Sequence, residues 1–319
     1  MSAFVVALDV GGTSMKGGVV TPDGVVLHTE HRPTPRAEGP DAVVAAIRAF
    51  IDHLSSAAPD TEGAPAGVGL AVPGLVTPDT AVYSANIGWR QVPASAFTSA
   101  PVPVQLGHDV RTGGLAESVL GAGRGVADFL FLPIGTGIAG ASILNGEPYA
   151  GAEGWGGEIG HTPVYPDGEA CACGQRGCLE TYASAASVAR RYASRTGLTV
   201  DTEEVAARAA TGDDPAATEV WNDAIEALSL SLATYSLLLD PSLIVIGGGL
   251  AEAGPTLLAP LADRLAAHLT FRPAPPLRPA ALGPQAGMLG AALLGWQAAG
   301  HPTIGTTWTP KVPNTTPVP

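Results

Sequence analysis

This chain of 319 residues is poor in basic residues, aromatic residues and cysteine. Its 16 lysines and arginines face 29 aspartates and glutamates, a formal charge of −13, and no local basic patch offsets the imbalance. Nucleic acid and anionic membrane surfaces are therefore disfavoured as partners, and small molecules are expected instead. No apolar run approaches the ~20 residues that span a bilayer. The opening MSAFVVALDVGG is too short and too uncharged for a secretory signal, so a cytoplasmic protein is expected. No GxxxxGK[ST] loop is present, which excludes a P-loop protein. Disorder is excluded too, because 46% of residues are hydrophobic and only 14% are charged. The length suits two lobes of ordinary size.

What cysteine there is falls in one place. All three residues lie in Cys171-Ala-Cys173-Gly-Gln-Arg-Gly-Cys178, and His161 stands ten residues upstream. Three thiolates and an imidazole complete the four-ligand set of a structural zinc, whereas a catalytic zinc keeps one position for water. A short disulfide with a spare thiol is the alternative, and the odd cysteine count speaks against a disulfide framework. Glu158 and Glu180 bracket the same stretch, so the loop is a candidate for chemistry as well.

Along the chain, apolar runs empty repeatedly into glycine turns. Residues 3–8 lead to Asp9-Val10-Gly11-Gly12-Thr13, and Lys16 to Val20 follows before the turn Thr21-Pro22-Asp23-Gly24. A helix is expected over 40–57, a strand over Gly67–Val72, and a strand over 103–106 leading to His108-Asp109. The opening pattern then recurs: Asp128–Ile134 runs into Gly135-Thr136-Gly137, with Ala141–Leu144 and the turn Asn145-Gly146 after it. This recurrence predicts a duplicated lobe. Beyond the cysteines, helices are expected over 181–195, 202–211 and 215–239. The strand Ser242–Ile246 into Gly247-Gly248-Gly249 follows, then helices over Pro255–Leu269 and Gln285–Ala299. The threonine- and proline-rich tail from His301 reads as a loose extension. Glycine lets a backbone approach a ligand, and successive amides in such turns make an anion-binding concavity, so the three turns are candidate phosphate sites.

The motifs DVGGTSMKGGVV, VPGLV, IGTGIAGASILNG, the stretch from EIGH to CLE with its CxCGxxGC core, DPSLIVIGGG and GMLGAALL resemble, in order and spacing, the ROK family of sugar kinases and sugar-responsive repressors over roughly residues 5–298. The resemblance implies an actin-like, ribonuclease-H-like two-lobed α/β fold with a duplicated core, a structural zinc loop and an active site in the cleft between lobes. The expected lobes are 1–112, with about 299–319 returning to it, and 113–298 carrying the zinc loop and a dimerisation surface. It further implies phosphoryl transfer from ATP, with magnesium, to a hexose hydroxyl, usually O6, and a homodimer.

Carried over by position, Asp109 matches the catalytic base, and a carboxylate there would orient the attacking hydroxyl and take its proton. Glu158, His161 and Glu180 match the sugar-hydroxyl contacts, with His161 also a zinc ligand. Asn86, in SANIGWR, falls in a segment that resembles the family's glucokinases and is a candidate sugar contact. Asp9, Gly11, Gly12 and Thr13 match the first phosphate loop, with Asp9 near magnesium. Gly135, Thr136 and Gly137 match the second, and Gly247, Gly248 and Gly249 lie where adenosine would pack. Lys16 is set aside as an edge-strand lysine.

One departure bears on the substrate. The family's sugar kinases place asparagine before the base, and this chain has His108. Histidine changes the shape of the pocket and, titrating near neutrality, its expected response to pH. Glucose remains the leading acceptor, with an N-acetylhexosamine, another hexose or a cyclitol as alternatives. A repressor of the same family would carry a helix-turn-helix ahead of the first glycine motif, and none is expected with that motif at Asp9. A catalytically silent sugar binder is the further alternative, against which Asp109 speaks.

Overall fold

The computed structural model describes residues 3–57 and 63–309. The chain divides into two compact units. Unit 1 runs to Arg124 and takes in Ala150–Trp155 and the chain from Pro284 onward; unit 2 comprises Gly125–Tyr149 and Gly156–Gly283.

Unit 1 opens with β1 (Val5–Val10), β2 (Ser14–Val20) and β3 (Val26–Pro33), then α1 (Pro40–Ala57) and β4 (Gly67–Val72). Three short strands, β5 (Leu75–Thr77), β6 (Thr80–Tyr83) and β7 (Arg90–Pro93), form a separate antiparallel sheet that the sequence does not signal. Strand β8 (Val104–His108) and helix α2 (Asp109–Leu120) follow. The main sheet has the order β3-β2-β1-β4-β8. β2 pairs antiparallel with β1 and β3, whereas β4 runs parallel to β1 and β8. β1 and β4 are almost wholly buried, which is why they read as continuous apolar runs without alternation. Helix α1 buries Val43, Ile47, Phe50, Ile51 and Leu54, one face at helical spacing, against this sheet.

Unit 2 repeats the plan with β9 (Phe129–Pro133), β10 (Ala141–Leu144), β11 (Glu147–Pro148), β12 (Leu243–Gly247) and β13 (Leu277–Pro279) in the order β11-β10-β9-β12-β13. The directions match as well: β10 is antiparallel to β9 and β11, and β12 is parallel to β9 and β13. The expected duplication is therefore present as topology. Between β11 and β12 lie α3 (Glu180–Ala183), α4 (Ala185–Thr196), α5 (Thr202–Thr211) and α6 (Pro215–Leu239); α7 (Pro255–His268) precedes β13. Their apolar faces form one core around Tyr182, Tyr192, Trp221 and Leu228. The helix expected over 181–195 is broken at Ser184, whose backbone is extended and whose Oγ accepts from the Ser187 amide at 3.2 Å. The break frees the Ala185 amide to donate to the Gly135 carbonyl at 2.8 Å.

The last helix, α8 (Ala286–Ala298), belongs to unit 1, although the sequence places the boundary at 299. It lies against β4 so closely that a Cβ on Gly69 would sit 1.8 Å from the Ala291 carbonyl oxygen. α2 packs on α8 in turn: a Cβ on Gly290 would meet the Thr112 carbonyl oxygen at 2.0 Å. This pairing draws the first boundary out to Arg124, beyond the expected 112. The tail is not loose as far as it is described. Trp308 is buried, its indole N–H donates to the Pro22 carbonyl at 2.9 Å, and Arg124 Nη2 donates to the Thr306 carbonyl at 3.2 Å. Residues 310–319 of that expected extension lie outside the described residues.

Candidate active site

In unit 1 the chemistry-bearing residues cluster at the C-terminal ends of β1 and β8. Asp9 stands directly opposite Lys16 in the β1–β2 pair, and burial raises its pKa while the Lys16 ammonium lowers it. A Cβ on Gly287 would sit 2.4 Å from Asp9 Oδ2, so a glycine in the first turn of α8 lets the carboxylate reach the positive end of that helix. A buried carboxylate held above its ordinary pKa is one that a cation would return to its charged form. Lys16 is not on an edge, since β2 lies between β1 and β3, and its Nζ donates to the Pro284 carbonyl at 3.3 Å. Gly11, Gly12 and Thr13 form the turn between β1 and β2, closed by the Gly11 amide on the Ser14 carbonyl at 2.9 Å and by Thr34 Oγ1 on the Gly11 carbonyl at 2.7 Å. Arg36 Nη1 lies 3.8 Å from where a Cβ on Gly12 would stand, which brings a guanidinium to the same turn.

Asp109 opens α2, half-buried, with Oδ1 accepting from the Val110 amide at 2.7 Å. Beside it, the buried His108 ring places Nδ1 3.2 Å from Asp109 Oδ1 and 3.4 Å from the Arg111 amide. Burial, and then the Arg111 charge, push the His108 pKa down to about 3. The contact with Asp109 is therefore not an ion pair at neutral pH, and the neutral ring makes either hydrogen bond with Nδ1. The titration near neutrality expected from the sequence does not arise, because the ring is inside the protein. Asn86 is exposed on the turn from Ser84 to Trp89, whose buried members Ser84, Ile87 and Trp89 fix its backbone.

In unit 2 the second and third glycine turns meet. The Ile134 amide donates to the Gly247 carbonyl at 2.9 Å and the Leu250 amide to the Ile134 carbonyl at 3.1 Å. Gly248 has φ +74°, and a Cβ there would stand 2.3 Å from the Ile134 carbonyl oxygen, so glycine is required. Thr136 and Gly249 border a cavity of about 580 Å³ whose wall combines alanines of α4 and α5, including Ala185, Ala189, Ala206 and Ala210, with Trp221 and the acidic Asp201, Glu203 and Glu252. Glu180 Oε2 accepts from the Ile138 amide at 2.7 Å, which pins this carboxylate to the second turn. Glu158 is exposed and immediately precedes the short 3-10 turn Ile159–His161.

The cysteine loop closes as the spacing predicts. The ligand atoms of His161, Cys171, Cys173 and Cys178 all lie within 4.8 Å of one another. Cys173 and Cys178 sulfurs are 3.7 Å apart and Cys171 Sγ is 3.8 Å from His161 Nδ1. Tetrahedral zinc with Zn–S of about 2.3 Å separates its ligand atoms by about 3.8 Å, so the donor set fits that metal, whereas a disulfide requires about 2.05 Å. Without a cation, burial and then its hydrogen-bonded cysteine neighbours push the Cys178 thiol up to about 12; a metal is what lets such thiols ionise. The loop is anchored independently of any metal: Arg191 Nε donates to Glu169 Oε1 at 2.9 Å, its Nη2 to Asp223 Oδ2 at 2.9 Å, and the Tyr182 hydroxyl accepts from the Glu169 amide at 2.7 Å.

The ROK family model matches residues 5–298, a span that takes in both glycine-turn sheets and the cysteine loop. The chain belongs to the ROK family. It is 34% identical over 313 residues to a glucokinase of Halalkalibacterium halodurans, covering 92% of this chain and 94% of the relative. It is 32% identical over 304 residues to an N-acetylgalactosamine kinase of a Shewanella species, covering 90% and 95%. Among solved structures, a ROK family glucokinase from Streptomyces griseus in complex with glucose and AMPPNP matches with a TM-score of 0.78 at 30% identity, covering 92% of this chain and 100% of that one. The ROK chain thus has the actin-like, ribonuclease-H-like fold, and its two sheets of identical order are the duplicated core.

Several residues of this ROK site carry no sequence signal of their own. The alanines of α4 and α5 read as ordinary helix interior, and only their convergence on Thr136 and Gly249 makes a cavity. Arg36 lies in a segment without pattern. Lys16 does have a signal, since antiparallel pairing about the turn at 11–13 sets it opposite Asp9.

Proposed function

We propose that the chain is an ATP-dependent sugar kinase that transfers the γ-phosphoryl group of magnesium-ATP to a hexose hydroxyl, O6 of glucose being the leading acceptor. The observation that carries this reading is Asp109 at the N-terminus of α2, a half-buried carboxylate beside a neutral His108, in a chain of the ROK family. Asp109 accepts the proton of the sugar hydroxyl as that oxygen forms its bond to the γ-phosphorus and the bond from the γ-phosphorus to the β,γ-bridging oxygen breaks, releasing ADP. Glu158, His161 and Glu180 accept from or donate to the other hydroxyls and hold the acceptor in one orientation. Asn86 adds a contact to the same sugar. The amides around Gly11–Thr13 and Gly135–Gly137 receive the phosphates, and the alanine-lined cavity beside Gly247–Gly249 receives the adenosine. Asp9 holds magnesium, which when bound neutralises charge on the transferring group. His161, Cys171, Cys173 and Cys178 hold a structural zinc that orients His161 for the sugar. The exposed Leu237, Leu238 and Phe271 of unit 2 support a homodimer, and the thiol-rich metal loop supports residence in a reducing cytoplasm.

A second reading rests on His108: its ring in place of asparagine favours a differently shaped acceptor, an N-acetylhexosamine, another hexose or a cyclitol. The test is product analysis by mass spectrometry and coupled ADP release with magnesium-ATP across glucose, mannose, fructose, allose, N-acetylglucosamine and N-acetylmannosamine. A hexose monophosphate formed with stoichiometric ADP is expected. No phosphorylated sugar from any acceptor would overturn the kinase reading and leave a sugar binder.

A further inference from the structure

Trp155 is out of place among the tryptophans. The other four are buried, with Trp89 and Trp296 at 1%, Trp308 at 2% and Trp221 at 4% exposure, whereas Trp155 is 55% exposed. Its setting is not that of an incidental surface residue. It is the last residue of the Ala150–Trp155 segment before the chain enters unit 2 at Gly156, and Glu158 follows three positions later. Gly154 at φ +81° and Gly157 at φ +106° flank it in conformations that other residues resist. The segment is nonetheless tethered: the buried Arg111 donates from Nη1 to the Gly154 carbonyl at 3.1 Å, and Arg111 stands two residues after Asp109 on α2. The backbone beside Trp155 is thus fixed to the helix whose first residue is Asp109.

From this arrangement we infer that Trp155 is a further acceptor-binding residue, its indole face stacking on the apolar C–H face of a pyranose ring. The indole, 55% exposed, presents a flat apolar face to solvent next to the backbone tethered to α2. The carboxylates and imidazole assigned to the sugar read only hydroxyls, which leaves the ring's C–H face without a partner among the assigned residues. A flat aromatic supplies that partner without constraining which hydroxyls the ring carries, so Trp155 selects for a pyranose as a class while the polar residues choose among pyranoses. This inference rests on the sugar-site reading of Asp109 and Glu158.

The test uses the full chain and two readouts. Because Trp155 is the exposed indole, acrylamide quenching of intrinsic fluorescence reports on it selectively. The acceptor sugar alone should reduce the quenchable fraction, and magnesium-ATP alone should not. In steady-state kinetics Trp155→Ala should raise the sugar KM about tenfold while leaving the ATP KM within about twofold and kcat within about threefold, and Trp155→Phe should recover most of the loss. An unchanged sugar KM in Trp155→Ala, or protection by ATP in place of sugar, would overturn the inference. Sugar protection without any turnover would sink the kinase reading and keep the stacking site; turnover with Trp155 unprotected and its alanine variant unaffected would do the reverse.

Discussion

The β1–β2 turn of unit 1 and the β9–β10 turn of unit 2 occupy the same place in two sheets of the same order, yet they are equipped differently. The first is surrounded by charge: Asp9 and Lys16 face each other across the strands, and Arg36 comes to Gly12. The second has no ionisable side chain in Ile134–Gly140 and no cation beside it among these contacts; it is fastened by backbone bonds to Gly247 and Leu250, donates the Ile138 amide to Glu180, and opens on a cavity walled by alanines, Trp221 and the carboxylates of Asp201, Glu203 and Glu252. Duplication preserved the geometry that presents amides and let the surroundings diverge. In the proposed reaction unit 1 therefore supplies charge and proton transfer, and unit 2 supplies shape and recognition.

Variants on either side separate these roles. Asp109→Asn should lower kcat by about a thousandfold with the fold intact, measured by ADP release and circular dichroism; retained turnover would remove proton transfer from unit 1. Asp9→Asn comes next, with kcat down about a hundredfold and a higher magnesium requirement, read from magnesium titrations at saturating ATP. Cys178→Ser tests unit 2: metal analysis should fall from about one zinc per chain to well below it. The melting temperature should drop by about 5–10 °C, and the sugar KM should rise with the ATP KM little changed. Glu180 should retain its bond to the Ile138 amide in that variant, so the weaker sugar binding should come chiefly from a misdirected His161.

The smallest effect concerns pH. His108 binds protons in the unfolded chain from about 6.5 downward and in the folded one only near 3, so the unfolded state holds more protons between these values. Stability is full above about 6.5 and is lost as pH falls toward 3, by roughly 2 kcal/mol at pH 5 from this group. Denaturant titrations at pH 7 and pH 5 should show that loss shrinking in His108→Asn, while the neutral-pH rate profile keeps its shape.

What is legible in the sequence follows from locality. The buried strands ending in glycine turns, and the metal loop with its ligands in one short stretch, declare themselves because neighbours in sequence make the feature. The sheet at 75–93 does not, since strands of three or four half-exposed residues carry no period. Glu180 stands out by its place beside the cysteines, but its bond to the Ile138 amide spans 42 positions and has no local sign. His108 reads as a titrating residue in the sequence because the burial that silences it is a property of the fold. The alanine cavity draws its walls from segments that touch only after folding.

The division between the units is tested most directly by the partition of kcat and KM in Asp109→Asn beside Glu158→Gln, assayed with magnesium-ATP and the preferred sugar. In the first, kcat should collapse with the sugar KM within a few-fold of wild type; in the second, the sugar KM should rise with a far smaller loss of kcat. Near wild-type turnover by Asp109→Asn, or a loss confined to KM in that variant, would contradict the division.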